Sequence, residues 1–137
     1  MAASPYAAKI AAYSSASAHG GVAAADPHKL TLMLMDGALE RIATARGCIE
    51  RNETSEKAKL LNRAVSIIGE LRNSLDMSKG GAIATNLGEL YDYMCRQLLK
   101  ANVENKAQPL EHVTTLLRDI RDAWASIPAD ARARPAG

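Results

Sequence analysis

Residues 75–94 read LDMSKGGAIATNLGELYDYM, and this stretch has the pattern of a corner between two helices. Helical apolar spacing precedes it, Gly80 and Gly81 interrupt that spacing, and the pattern resumes from about Ala82. Glycine is a common helix stop because it tolerates a left-handed backbone. The sequence therefore predicts that one helix ends at the double glycine and that the next begins directly after it.

Two helices are predicted on the N-terminal side of this corner. Asp26 followed by Pro27 is a typical helix start, because aspartate caps free backbone N–H groups and proline has no N–H to lose. The first helix is predicted to run to about Arg51, and the second to begin at residues 54–55. The first turns of helix one, residues 30–35, are apolar nearly all round, and helix two carries a wide apolar stripe. Both helices thus carry more apolar surface than a two-helix contact needs.

Two further helices are predicted after the corner, over about residues 82–104 and 109–127, and Pro128 ends the last one. Four amphipathic helices with short connections favour an antiparallel up-down four-helix bundle. No strand-like alternation competes with this all-α fold class. The bundle domain is predicted to span residues 26–127.

The segments outside the bundle have a different composition. Residues 1–25 are rich in Ala, Ser and Gly and are predicted to form an arm. The arm is either flexible or a short helix, because Tyr6, Ile10 and Tyr13 follow helical spacing. Residues 128–137 are expected to be a disordered tail.

Composition limits the classes of partner. The 137 residues are 47% hydrophobic and 23% charged, which is typical of one globular domain. The net charge is +2, without the basic stripe that nucleic-acid binding requires. No apolar run approaches the roughly 20 residues that cross a bilayer, and no secretory signal is recognised. Cys48 and Cys95 lack CxxC spacing and are interpreted as reduced thiols. We therefore predict a cytoplasmic protein with neither nucleic-acid binding nor membrane insertion.

The sequence contains no recognised catalytic or metal-binding motif. His19, His28 and His112 have no Cys, Glu or His partner at metal-ligand spacing, and the Glu-x-x-His pairs of di-metal bundles do not occur. Neither a phosphate-binding loop nor a nucleophile elbow is found. The prediction is a protein that is not an enzyme and that has no cofactor and no metal site.

A histidine phosphotransfer module is the alternative functional class, since such signalling domains use one exposed histidine on a four-helix scaffold. His28 is the better candidate and His112 the second. The position of His28 at a helix start, followed by an apolar run, favours instead a residue that is simply exposed near a helix cap.

The corner itself carries polar and aromatic residues with structural interpretations. Asp76, Lys79 and Asp92 are interpreted as capping and dipole-compatible charges. Tyr91 and Tyr93 lie about 160° apart on a helix, so one is expected to be buried and the other at the surface. The surplus apolar surface of helices one and two is therefore the main functional signal, to be covered by neighbouring helices, by the arm or by a partner helix.

Several stretches together resemble the flagellar secretion chaperone family FliS. They are residues 26–30, residues 35–38, the corner 75–94 followed by Arg96, and residues 117–124. The resemblance covers about residues 26–127, and the corner motif is long, ungapped and specific.

The resemblance implies a cytoplasmic chaperone that binds the disordered C-terminal segment of flagellin. Binding of this kind prevents premature polymerisation and keeps flagellin competent for type III export, with the flagellar export gate as a second partner. The resemblance also implies that the N-terminal arm packs in the client groove of the empty chaperone. A homodimer of the client-free protein is a further expectation.

A disordered client pays ordering entropy on binding, so it needs a large apolar footprint. The candidate flagellin-binding residues are Leu32, Met35, Leu39, Ile67, Leu71 and Tyr91. Ile10 and Tyr13 of the arm are expected to occupy similar pockets as a lid.

Overall fold

The computed structural model describes residues 26–129, and this part of the chain is all-α, as predicted. It contains four helices: α1 (Pro27–Glu50), α2 (Thr54–Asn73), α3 (Met77–Glu104) and α4 (Gln108–Ala125). None of these four helices is long and apolar enough to cross a membrane. The predicted arm and, beyond Ala129, the predicted tail lie outside the described residues.

The four helices form a closed ring, in which each consecutive pair is in contact and α4 returns to α1. Connections of three residues join consecutive helices, and connections this short require that consecutive helices are antiparallel neighbours. Side-chain contacts agree with this direction: His28 at the start of α1 meets Trp124 at the end of α4. Lys57 at the start of α2 likewise meets Asn105 after the end of α3. The predicted up-down bundle is confirmed.

The core fills the centre of the ring with one apolar stripe from each helix. Its buried members are Met35, Ala38, Ile42, Ala45, Leu61, Ala64, Ile67, Ile68, Leu71, Tyr91, Met94, Leu98, Ala101, Leu110, Val113 and Leu117. The apolar stripe of α2 is wide because that helix packs against both α1 and α3. Residues 30–34 of α1 are each half-buried, so the surplus at the start of α1 is covered only in part.

The corner differs from the prediction, since α2 does not run to the double glycine. The last helical residue of α2 is Asn73, and Ser74 is its C-cap. Asp76 then starts α3, because its carboxylate accepts hydrogen bonds from the backbone N–H groups of Ser78 and Lys79, each at 3.1 Å. The prediction of a helix stop at the glycines was wrong, because Asp76 caps the next helix and that helix begins before the glycines are reached.

Gly81 instead kinks α3 near its start. Its φ of 57° and ψ of −132° are open to glycine but strongly disfavoured for other residues. Gly80 is required for a second reason, the lack of space, because a Cβ at that position would lie 2.5 Å from the Cβ of Ala84. The double glycine thus lets one short turn stand at an angle to the long helix over residues 82–104, whose bounds match the prediction.

We expect Gly81→Ala to lower the free energy of unfolding by about 2 kcal/mol, because the kink demands a backbone conformation that alanine avoids. Gly69→Ala in α2 is the matched control. Nothing lies within 4 Å of the added Cβ there, and the position is inside a regular helix. It should raise the free energy of unfolding by about 0.5–1 kcal/mol. Urea unfolding followed by circular dichroism measures both, and effects of the same sign would contradict the kink assignment.

Lys57 ties the bundle together at the end opposite the corner. Its side chain is 2% exposed, and its ammonium donates to the carbonyl of Asn102 at 3.0 Å and to Oδ1 of Asn105 at 2.9 Å. Asn105 has a left-handed φ of 55° and caps α3. Buried charge persists only where hydrogen bonds compensate it, so these bonds hold the start of α2 to the end of α3.

Candidate functional site

A cavity of about 540 Å³ opens at the end of the bundle where α1 and α3 begin and where α2 and α4 end. This volume lies within the range of about 300–1,000 Å³ that is typical of ligand-binding pockets. The cavity is lined by Asp26, Pro27, His28, Thr31, Met35, Leu71, Ser74, Leu75, Asp76, Gly80, Ile83, Ala84, Leu87, Tyr91, Ile120 and Trp124. The surface is therefore mostly apolar, with contributions from all four helices.

Two carboxylates mark the rim of this cavity, and neither Lys nor Arg lines it within residues 26–129. Asp26 caps α1 by accepting from the backbone N–H groups of His28 and Lys29, at 3.1 and 3.2 Å. The hydroxyl of Ser78 is the main cause that lowers the pKa of Asp76, and the N–H of Lys79 adds to it. Both acids thus serve helix starts, and the rim favours a partner whose apolar residues are flanked by neutral or basic ones.

His28 and Trp124 form one wall, where α1 meets α4. Nε2 of His28 lies 2.7 Å from the carbonyl oxygen of Trp124, which requires that this nitrogen carries the proton. Nε1 of Trp124 in turn donates to the carbonyl oxygen of His28 at 3.0 Å. The two rings are stacked, with centroids 5.0 Å apart and planes 13° apart. These reciprocal bonds fix both rings against each other.

The expectation of an exposed His28 was therefore wrong. The residue is buried because its ring stacks on an indole supplied by the end of α4. A phosphotransfer histidine must reach a partner kinase, which this ring does not. His112 is exposed, but it lies near the start of α4, at the other end of the bundle from the cavity.

Two ion pairs brace the helices around the cavity. Arg121 of α4 holds Asp36 of α1 with two bonds, of 2.8 and 3.3 Å. Arg72 of α2 donates to Asp92 of α3 at 2.8 Å, so Asp92 pairs across helices rather than serving as a cap. Half-exposed pairs of this kind contribute about 0–1 kcal/mol each. They fix helix register more than they stabilise the fold.

Three of the predicted binding residues line the cavity: Met35, Leu71 and Tyr91. All three are also core residues with at most 3% of their surface exposed. They form the base of the cavity, where a bound side chain would contact them from the open end.

The remaining predicted residues lie elsewhere. Leu32 and Leu39 are half-buried on α1, and neither lines the cavity. Ile67 is buried in the core of α2. Ile10 and Tyr13 lie outside the described residues.

Sequence reasoning missed several lining residues, notably Thr31, Ile83, Leu87 and Trp124. Ile83 and Leu87 follow the apolar spacing of the third helix, yet Ile83 is 73% exposed at the cavity rim. A signal was available. In an up-down bundle, the starts of helices one and three share one end with the ends of helices two and four, so these residues are brought together by topology.

The two tyrosines of α3 differ as expected, since Tyr91 is buried and Tyr93 is half-buried. The ring of Tyr93 lies 6.0 Å from the guanidinium carbon of Arg96. The hydroxyl of Tyr91, by contrast, has no hydrogen-bond partner within residues 26–129. Burial raises the pKa of Tyr91 to about 12.

We expect this raised pKa to make the bundle less stable in alkali. The folded state keeps the Tyr91 proton up to about pH 12, whereas the unfolded chain releases it near pH 10. The free energy of unfolding should therefore fall between these pH values, by about 2–3 kcal/mol in total from this group. Urea unfolding from pH 8 to 12 measures the slope, and Tyr91→Phe serves as the reference because it lacks the proton. Identical slopes in both proteins would contradict the expectation.

Within residues 26–129, no group of three or more His, Cys, Asp or Glu side chains is placed to hold a metal ion. The lining residues make the site an apolar cavity with a carboxylate rim.

Comparison with known proteins adds independent information. Residues 9–131 match the model of the family described as flagellar protein FliS. The chain is 46% identical over 123 residues to the flagellar secretion chaperone FliS of Salmonella typhimurium, covering 89% of this chain and 91% of that one. It is 43% identical over 115 residues to the flagellar secretion chaperone FliSB of Pseudomonas aeruginosa, covering 84% and 91%. It is 39% identical over 121 residues to the FliS chaperone of Vibrio cholerae, covering 88% and 89%.

Proposed function

Because the chain belongs to the FliS family of flagellar proteins, we propose that it is a flagellar secretion chaperone whose client is flagellin, bound through its disordered C-terminal segment. In this proposal the protein acts in the cytoplasm by binding alone, without catalysis. It prevents premature polymerisation of the client and delivers it to the flagellar export gate. The observation that carries the proposal is the mostly apolar cavity of about 540 Å³ at one end of the bundle.

The energetics of a disordered client support this use of the cavity. Ordering a disordered segment is unfavourable, and burial of apolar surface offsets it at roughly 25 cal/mol per Å². The cavity supplies a deep apolar anchor with Met35, Leu71 and Tyr91 at its base. Leu32 and Leu39, two helical turns apart on α1, extend the half-buried apolar surface beyond it. We propose that the client anchors in the cavity and continues along α1.

Ile67 has a different role in this proposal. The side chain is 4% exposed and packs in the core, so it stabilises the position of α2 and offers the client almost no accessible surface. Truncation of Ile67 should therefore lower stability before it lowers affinity.

The direct test is a calorimetric titration of the chaperone with the last ~40 residues of flagellin from the same organism. A segment of this length is longer than any helix of the bundle even when fully helical. We expect heat of binding together with a gain in helical circular dichroism. A peptide of the same composition in scrambled order is the control. Neither heat nor ordering with the native peptide would refute the proposal.

The arm over residues 1–25 is proposed to act as a lid, with Ile10 and Tyr13 competing for the client's apolar contacts. We expect deletion of residues 1–20 to speed client association, because no competitor then has to leave first. Stopped-flow mixing with the C-terminal flagellin peptide measures the rate. An unchanged association rate would mean that the arm does not compete.

A homodimer of the client-free chaperone is a separate proposal. Sedimentation of the full chain and of the deletion variant without client tests whether the free chaperone dimerises through the same surface.

A further inference from the structure

Tyr91 carries a buried hydroxyl that the described part of the protein leaves without a hydrogen-bond partner. The residue is 3% exposed, lies in the core cluster and lines the base of the cavity. Buried tyrosine hydroxyls usually find a partner, because an unpaired buried polar group costs about 1–3 kcal/mol. Phenylalanine would avoid that cost with the same ring. The hydroxyl at this position therefore calls for an explanation in function.

Most other polar side chains around the cavity already have partners within residues 26–129, and the exception is the hydroxyl of half-buried Thr31. The ring N–H groups of His28 and Trp124 are bonded to each other's carbonyl oxygens. The carboxylates of Asp26 and Asp76 accept from backbone N–H groups at helix starts. The hydroxyl of Ser74 donates to the carbonyl of Leu71 at 2.7 Å. A polar group that enters the cavity thus finds two unused hydroxyls among the described residues, of which that of Tyr91 is the buried one.

We propose that the Tyr91 hydroxyl is a specificity-determining group, which pairs with one polar group of the client inside an otherwise apolar cavity. The inference rests on the proposed function and specifies the chemistry of the bound segment. That segment is aliphatic at its anchor and brings one hydrogen-bonding group, a side-chain amide or a backbone carbonyl left free at a helix end. A client with only apolar groups at this point leaves the hydroxyl unpaired and binds less tightly.

The pairing explains discrimination as well as affinity. An apolar cavity alone separates similar aliphatic side chains only weakly, whereas a buried polar group rejects ligands that fail to satisfy it. Many cytoplasmic segments are amphipathic, so a chaperone with a single client gains from such a requirement. Tyr91 would thus determine which part of the client occupies the cavity, in addition to the requirement that this part is apolar.

The test compares Tyr91→Phe with the matched variant Tyr93→Phe on the same helix. Tyr93 is half-buried, packs near Arg96 and is not part of the cavity lining. We expect Tyr91→Phe to bind the C-terminal flagellin peptide about three- to tenfold more weakly in calorimetry. Its urea midpoint without client should stay unchanged or rise, since an unpaired buried hydroxyl has been removed. Tyr93→Phe should leave both quantities unchanged.

Each other outcome has a definite meaning. Equal affinity of Tyr91→Phe and the unaltered chaperone would overturn the inference, as expected if water alone satisfies the hydroxyl. A fall in affinity that is matched by a lower urea midpoint would also overturn it, because the role would then be structural. Absence of binding by the unaltered chaperone would refute the proposed function instead.

The partner group on the client is found by a double-mutant cycle. Polar residues of the peptide are replaced one at a time by apolar residues of similar size and titrated against both chaperones. The residue that pairs through its side chain should lose affinity with the unaltered protein but not with Tyr91→Phe. If the affinity losses of every side-chain replacement and of Tyr91→Phe are additive, the partner is a backbone carbonyl of the peptide. Replacing single amide groups of the peptide by esters weakens the carbonyl as a hydrogen-bond acceptor, and one such ester should then be non-additive with Tyr91→Phe. Additivity there as well would overturn the pairing.

Discussion

Thr31→Trp should weaken the proposed binding of the C-terminal flagellin peptide by at least about 100-fold while the bundle stays folded. Thr31 is half-buried on α1 and lines the cavity, so an indole there can fold into the volume that client side chains need. Two displaced apolar anchors, at roughly 1.5–3 kcal/mol each, account for a loss of this size. Calorimetric titration measures the affinity, and circular dichroism with thermal melting checks the fold.

Thr44→Trp is the matched control for this substitution. Thr44 lies on the same helix, is exposed and is not part of the cavity lining. Its affinity for the peptide should equal that of the unaltered protein. If the Thr31 variant is folded and binds normally, the client does not use the cavity. If the Thr44 variant binds as poorly as the Thr31 variant, the loss comes from bulk on α1 rather than from the filled cavity.

Trp124→Ala should lower the free energy of unfolding by about 2–4 kcal/mol, somewhat less than for a fully buried tryptophan because the residue is half-buried. The change removes the ring stacked on His28, the hydrogen bond from Nε1 and the packing against the core. It also opens the cavity wall. Urea unfolding followed by far-ultraviolet circular dichroism gives the value.

A double-mutant cycle with His28→Ala isolates the contact between the two rings. We expect a coupling energy of about 1 kcal/mol from the ring stacking alone, because each hydrogen bond joins one side chain to a backbone carbonyl that remains in the alanine variants. Trp124→Phe keeps an aromatic ring but lacks the N–H donor, so its loss of stability should lie between those of the unaltered protein and the alanine variant. Strict additivity in the cycle would mean that the stacked pair contributes nothing beyond separate burial.

Local chemistry explains which helix limits could be predicted from the sequence. Asp26 and Pro27 set the start of α1 through capping and the missing proline N–H, both of which act within one turn. The same kind of reasoning failed at the corner because two local signals compete there. A glycine pair suggested a stop, but Asp76 had already begun the next helix, and Gly81 serves as a kink.

Contacts between distant residues explain the rest of the difference. His28 and Trp124 are 96 positions apart, so no periodicity reveals that one ring covers the other. Burial of Tyr91 followed from the apolar stripe of its helix, whereas the unpaired state of its hydroxyl depends on all of its neighbours. The cavity likewise depends on how four helix ends fit together. Half of the predicted binding residues line it because apolar stripes identify the inward faces but not the gaps between them.

Trp124 also gives the protein an optical property. It is the only tryptophan among the 137 residues, it lies on the cavity wall and it stacks on His28. Its fluorescence therefore reports on this end of the bundle alone, without background from any second indole. A segment that enters the cavity will change the polarity around the indole, and the wavelength of its emission will shift. Loading of the proposed client can thus be followed in real time on the unlabelled protein whenever that client lacks tryptophan.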